Sequence, residues 1–231
     1  MNRFLCGRII PLSLGMASLA GGSCDAQYHP ELPTRWSSSV TNRFFPLVPG
    51  TTFRYSSQDE TVVVEVLDHP RRVHGVDATA VRDRVYSNSL LVEDTEDWFA
   101  QDSAGNVWYL GEDTKELENG QVTGTEGSWM WGENGALPGI IMWADPAGYA
   151  GKDYRQEYSK GVAEDWGKVL ATGQNVTVGY GNFTGCLKTE DWSGLERGGH
   201  EYKYYCPQIG LVLETSTNGG HRVELIDRST R

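Results

Sequence analysis

The 231-residue chain sets 31 acidic against 20 basic side chains, a formal net charge of −11. Such a surface repels phosphate backbones and anionic headgroups, which argues against nucleic acid as a partner and leaves the membrane only as the seat of an N-terminal anchor. With 28 Gly, 8 Trp and 11 Tyr, the composition describes short strands and tight turns rather than a helical bundle.

Residues 1–24 read as an export signal: Arg3 and Arg8 precede the apolar run "IIPLSLGMASLAG", too short to span as a mature helix. Two exits stay open. Cleavage after Ala20 uses the small residues Ser18 and Ala20, whereas "LAGGSC" resembles a lipoprotein signal that makes Cys24 the lipidated N-terminus. Gly21 departs from that second pattern, which usually carries Leu there. Either exit predicts an extracytoplasmic protein, whether periplasmic, cell-surface or secreted. Residues 25–43 are polar, with Pro30, Pro33 and a Ser run, and predict a linker or arm ahead of a single domain over 44–231.

Strand signals then follow at short intervals. "FFPLVPGTTFRY" opens a period-2 pattern, and "ETVVVEVLD" is β-branched at its centre. Turns are expected at Ser87-Asn88-Ser89, Ser103-Ala104-Gly105-Asn106, Asn119-Gly120 and Asn218-Gly219-Gly220. No stretch sustains a helical period with a cap at each end. The sum predicts an all-β fold, a single antiparallel meander closed into a barrel or curled into a half-barrel.

Export gives the cysteines their meaning. Cys186 and Cys206 flank the strand-like runs "CLKTEDW" and "HEYKYYC", and a symmetric hairpin brings them face to face as a disulfide.

The tripeptide Glu-Asp-Trp occurs at 96–98, 164–166 and 190–192, with unequal spacing and unlike flanks, so it is a strand pattern rather than a duplication. On a strand each Glu shares a face with its Trp while the Asp points the other way. Two readings stay open: Trp98, Trp166 and Trp192 pack as core or strand-end clamps, or they converge inward with Glu96, Glu164 and Glu190 to line a cavity.

The segment "GSWMWGENGALPGIIMWADP" carries Trp129, Trp131, Met142 and Trp143 around a Gly/Pro-rich stretch, the composition of a lid or of a core plug. None of the five His forms a ligand pair, so no metal site and no cofactor is expected. Nucleophile elbows and phosphate loops are absent. Glu157, on the strand face of Arg155, and Glu164 remain the weak candidates for a carboxylate pair.

The stretches "RFFPLVPGTTFRY", "DWFAQDSAGNVWYLGEDTKE", "YGNFTGCLKTEDW" and "HEYKYYCPQIGLVLE" resemble an uncharacterised group of exported bacterial β proteins. The group shares a Phe-Pro-Leu-x-Pro-Gly-Thr opening and a Tyr-Tyr-x-Pro-x-x-Gly-Leu-Val closing strand. The resemblance spans most of residues 43–226 and implies an extracytoplasmic, often lipid-anchored β protein, with no catalytic residue to carry over. The expected function is a barrel holding an apolar or amphipathic molecule against Trp98, Trp129, Trp131, Trp143, Arg155, Trp166 and Trp192. The alternative is a carbohydrate-active hydrolase or lyase, with a glycan as its partner.

Overall fold

The computed structural model describes residues 28–196 and 198–231. The expected export signal and Cys24 lie outside them. The strands begin with β1 (Trp36–Ser37), β2 (Val40–Asn42) and β3 (Phe45–Leu47). Five strands follow in successive antiparallel hairpins, with a register shift in each of the last three pairings: β4 (Thr51–Ser56), β5 (Glu60–Val73), β6 (Val76–Ser87), β7 (Leu90–Asp102) and β8 (Val107–Glu118). Next come β9 (Gln121–Gly124), β10 (Trp129–Met130), β11 (Leu137–Met142), a single 3-10 turn (Pro146–Tyr149), β12 (Asp153–Arg155) and β13 (Glu157–Tyr158). The chain ends in β14 (Asp165–Val178), β15 (Gly181–Ser193), β16 (His200–Cys206), β17 (Gly210–Ser216) and β18 (Arg222–Thr230).

One antiparallel sheet holds nearly all of them. Its order runs β12-β14-β15-β16-β17-β18-β4-β5-β6-β7-β8-β11-β13, so the last strand pairs with β4 and the sheet curls into a nearly closed barrel. Turn chemistry explains the short connections: Asn88, Ser89, Asn119 and Gly120 all take positive φ, the left-handed geometry a two-residue hairpin demands.

The two free edges, β12 and β13, are consecutive in the chain, and Gln156 between them donates its backbone N–H to Asp165 O at 2.9 Å. Closure therefore happens at one peptide. It needs Gly139 on β11, because a Cβ there would lie 2.4 Å from the carbonyl carbon of Gln156.

Alternation sorts side chains inward and outward, and two layers fill the lumen. At one end the β2–β3 hairpin inserts Phe45 between Phe99 and Tyr205, with ring centroids at 5.2 and 6.1 Å. Leu187, Val212 and the Cys186–Cys206 disulfide, with Cα atoms 4.2 Å apart, complete this apolar end. At the other end the inward positions are Asp83, Glu93, Asp97, Glu112, Asp191, Glu201, Lys203 and Glu214, all buried. Asp83 and Glu214 interact electrostatically although three strands separate β6 from β17 in the sheet, so they face each other across the lumen.

The linker expected over 25–43 departs from what the described part of it does. From Tyr28 on it lies against the barrel: Tyr28 Oη donates to Pro138 O at 3.0 Å, β1 pairs with the end of β7, and Val40 and Asn42 are buried. Asn42 Nδ2 donates to both Gly105 O and Trp143 O. Buried, doubly bonded anchors are the reverse of a solvated tether.

Candidate functional site

The three Glu-Asp-Trp copies obey strand parity, with the faces inverted relative to the cavity expectation. Asp97, Asp165 and Asp191 are buried on the lumen face, while each Glu and Trp takes the opposite face, where Trp98 is buried and Trp166 and Trp192 are half-buried. Trp98 donates its indole N–H to Glu96 at 2.9 Å and lies under the Arg71 guanidinium on the outer wall. Trp166 and Trp192 are register partners on β14 and β15, stacked at 6.3 Å with ring planes 2° apart, and His200 extends the stack at 5.4 Å. His200 also meets Glu190 at 2.7 Å. Trp98 sits far around the sheet from this pair, so the three indoles do not converge. The physical reason is pairing: each outward Trp finds a neighbouring cation or ring.

The Met/Trp segment is wall rather than lid. Trp129 is buried against Tyr109 and donates to Glu157 at 2.7 Å, Trp131 packs with Trp36 and His74, and Met142 is fully enclosed on β11. Only Trp143 of that set faces an open space.

That space is a groove of about 800 Å³ outside the barrel wall, roofed by residues 28–34. It brings together three of the expected binding residues, Trp143, Arg155 and Trp166, and omits Trp98, Trp129, Trp131 and Trp192. Trp143 stacks on Tyr149 at 3.6 Å with planes 8° apart and meets the edge of Tyr154 at 5.6 Å. Its indole Nε1 is buried without a hydrogen-bond partner. The Arg155 guanidinium lies 4.0 Å over Trp166, held by Glu164 O at 3.1 Å and Glu164 Oε2 at 3.4 Å. Lys152 reaches over Tyr149 at 5.4 Å. Burial pushes the Tyr28 phenol up to about 12, with Arg155 opposing, so it stays a neutral donor. An apolar aromatic floor lined also by Arg155 and Lys152 suits a flat body with an acceptor-bearing head.

The carboxylate pair does not form. Glu157 is sealed in the wall beneath Trp129, while Glu164 is bound by Arg155 and by the Gly161 N–H at 2.9 Å, and neither lines the groove. Arg155 and Glu157, expected on one face, part company where the chain passes from β12, paired with β14, to β13, paired with β11. Among the described residues no group of three His, Cys, Asp or Glu is disposed to hold a metal ion.

Sequence reasoning missed two things. Trp108, Tyr149 and Tyr154 line the groove, and the repeated Tyr near "DPAGYAGKDYR" was the available signal. It also missed Lys203, fully buried among carboxylates. In "HEYKYYC" it shares parity with Glu201 and Tyr205, so an inward Tyr205 forces an inward Lys203. Its Nζ lies 3.4 Å from Asp191 and 3.8 Å from Glu214. Burial alone would lower the Lys203 pKa, but Asp191, Tyr205, Glu214 and Glu201 together hold it well above the ordinary value. Burial raises Asp83 well above the carboxylate range, aided by Asp97 and Glu93, and does the same for Glu214 with Glu201 beside it.

No protein-family model and no curated protein matches the chain. Among solved structures it is similar to a "putative lipoprotein" from Parabacteroides distasonis ATCC 8503, at 13% identity and a TM-score of 0.44, covering 81% of this chain and 99% of that one.

Proposed function

We propose that this is an exported binding protein whose outer groove holds a small amphipathic molecule, with a flat apolar body on Trp143 and Trp166 and an acceptor or anionic head toward Arg155 and Lys152. The observation that carries the reading is the roughly 800 Å³ groove lined by the stacked Trp143–Tyr149 pair and by Trp166, with Arg155 and Lys152 among its lining cations. The Cys186–Cys206 disulfide supports an oxidising, extracytoplasmic setting. Reaction chemistry has less support, since Glu157 and Glu164 face no common cleft.

Native mass spectrometry of the purified protein should find a co-purifying small molecule. Fluorescence titration with 8-anilinonaphthalene-1-sulfonate, an aromatic body with an anionic head, tests the site directly. Trp143→Ala should weaken binding by about tenfold, equivalent to about 1.4 kcal/mol, while Trp192→Ala, outside the groove, should leave it unchanged. Equal binding by all three proteins would reject the groove.

A further inference from the structure

A second cleft, of about 750 Å³, opens at the strand ends where residues 56–60, 198–201 and 216–224 meet. Asp59, Glu60, Glu201 and Glu224 line it together with His200 and His221, and Arg222 is already paired with Glu224 at 3.0 Å. Of the buried acidic residues of the lumen, Glu201 is the one that this cleft reaches. Glu201 belongs to both places: it lines the cleft, yet it is only 6% exposed and stands two residues from Lys203 on one strand face.

Behind Glu201 the interior holds a surplus of acceptors. Both carboxyl oxygens of the fully buried Glu214, Asp83 Oδ1, Asp191 Oδ1 and Gln156 Oε1 have no hydrogen-bond partner. Lys203 is the one buried cation among the described residues, and its Nζ makes no hydrogen bond in reaching toward Asp191 and Glu214. Buried acceptors demand donors, and buried carboxylates demand positive charge.

The geometry points to a second binding site in this end of the barrel, entered past Glu201, for a small organic cation that brings several N–H donors, such as a diamine. The distribution of oxygens separates the candidates. A bare metal ion needs convergent ligands, and the carboxyls are spread over β6, β15, β16 and β17 with no metal-holding triad among the described residues. A sugar would add acceptors to a site already oversupplied with them. An anion would meet one ammonium and many carboxyls. Ammonium groups separated by a short methylene chain supply donors alone and can serve more than one carboxyl.

Protons compete for the same oxygens. Burial keeps Glu214 protonated above the usual range, with Glu201, Lys203, Asp191 and Asp83 facing it. Asp83 is held up likewise, facing Asp97, Glu93, Lys203 and Arg84. A bound diammonium displaces those protons, so binding should tighten as pH rises.

Calorimetry and thermal melts with 1,4-diaminobutane, spermidine and calcium chloride, at about pH 6 and about pH 8, test this. The expected result is saturable amine binding with a raised Tm, tighter at the higher pH. Glu214→Gln and Glu201→Gln should each weaken it by about tenfold, while Asp68→Asn, which removes the same charge from an exposed site, should not. If Glu214→Gln does not fold, Glu201→Gln at the cleft decides alone. Absence of binding by both amines, equal binding by the Gln variants, or calcium binding tighter than either amine would overturn the proposal. None of these outcomes touches the outer groove.

Discussion

At the barrel end closed by the β2–β3 hairpin, the inward positions of β7, β8 and β16 carry Phe99, Tyr109 and Tyr205; a few residues along the same strands they carry Asp97, Glu112 and Lys203. Both ends use the same pleat and the same hydrogen-bond ladder. One end buries rings against rings, which the hydrophobic effect favours. The other buries charge and unpartnered oxygen, which stabilises nothing by itself. The contrast teaches that the apolar end holds the barrel together and the acidic end is carried by it.

Removing a ring from the apolar end should break that division most severely. Phe99→Ala deletes a ring in contact with Phe45 and Tyr109 and should cost about 3–5 kcal/mol in urea unfolding, with little change between acid and neutral buffers. Lys203→Met should cost about 3 kcal/mol near neutral pH by leaving Asp191 and Glu214 without their cation. Its penalty should shrink in acid, as Asp83, Glu201 and Glu214 hold protons more fully. A penalty equal at both pH values would show that the lysine matters only for packing. Opening the disulfide with paired Cys186→Ala and Cys206→Ala changes should lower stability by about 2–3 kcal/mol, since it closes a short loop at the apolar end.

The native chain should show the acidic end through its pH profile. Asp83 and Glu214 keep their protons in the folded barrel well above the ordinary values of 3.8 and 4.5 at which the unfolded chain releases them. The folded state thus binds more protons across that window, and stability should fall as pH rises out of it. Asp94 opposes this on the acid side: the Arg82 hydrogen bond holds it below its ordinary value, and that contribution is lost as pH falls through the lowered one. Chemical denaturation from about pH 4 to about pH 8 should therefore decline after an early maximum; a curve rising to neutrality would mean that the interior carboxyls ionise freely. The smallest effect belongs outside. Arg155→Ala removes a guanidinium from the Trp166 face and from Glu164 and should cost about 1 kcal/mol, less once acid protonates Glu164.

Much of the fold was legible in the chain. The β-branched core of β5, the hairpins at Asn88-Ser89 and Asn119-Gly120, and the facing cysteines all follow from local chemistry, and the structure has each of them. Strand parity also placed each Glu with its Trp. What parity cannot give is which face is the inside: the aspartates line the lumen and the indoles pack on the other face, Trp98 being as buried there as Asp97 is within. Irregularities hid more. A bulge opposite Trp98–Phe99 leaves Leu110 as an extra residue, so Tyr109 and Glu112 both face inward despite opposite parity. The groove was legible only in part, because Tyr28 and Tyr154 come to Trp143 from segments that no periodicity links.

Gly139 carries a consequence out of proportion to its size. The whole cylinder is zipped at one peptide, and that peptide rests where a methyl group would otherwise stand. Any side chain at 139 would prise the staves apart there and bare two raw margins of sheet, each a template for a neighbouring copy. A hoop that depends on one missing carbon thus separates a nearly closed cylinder from a seed for fibres.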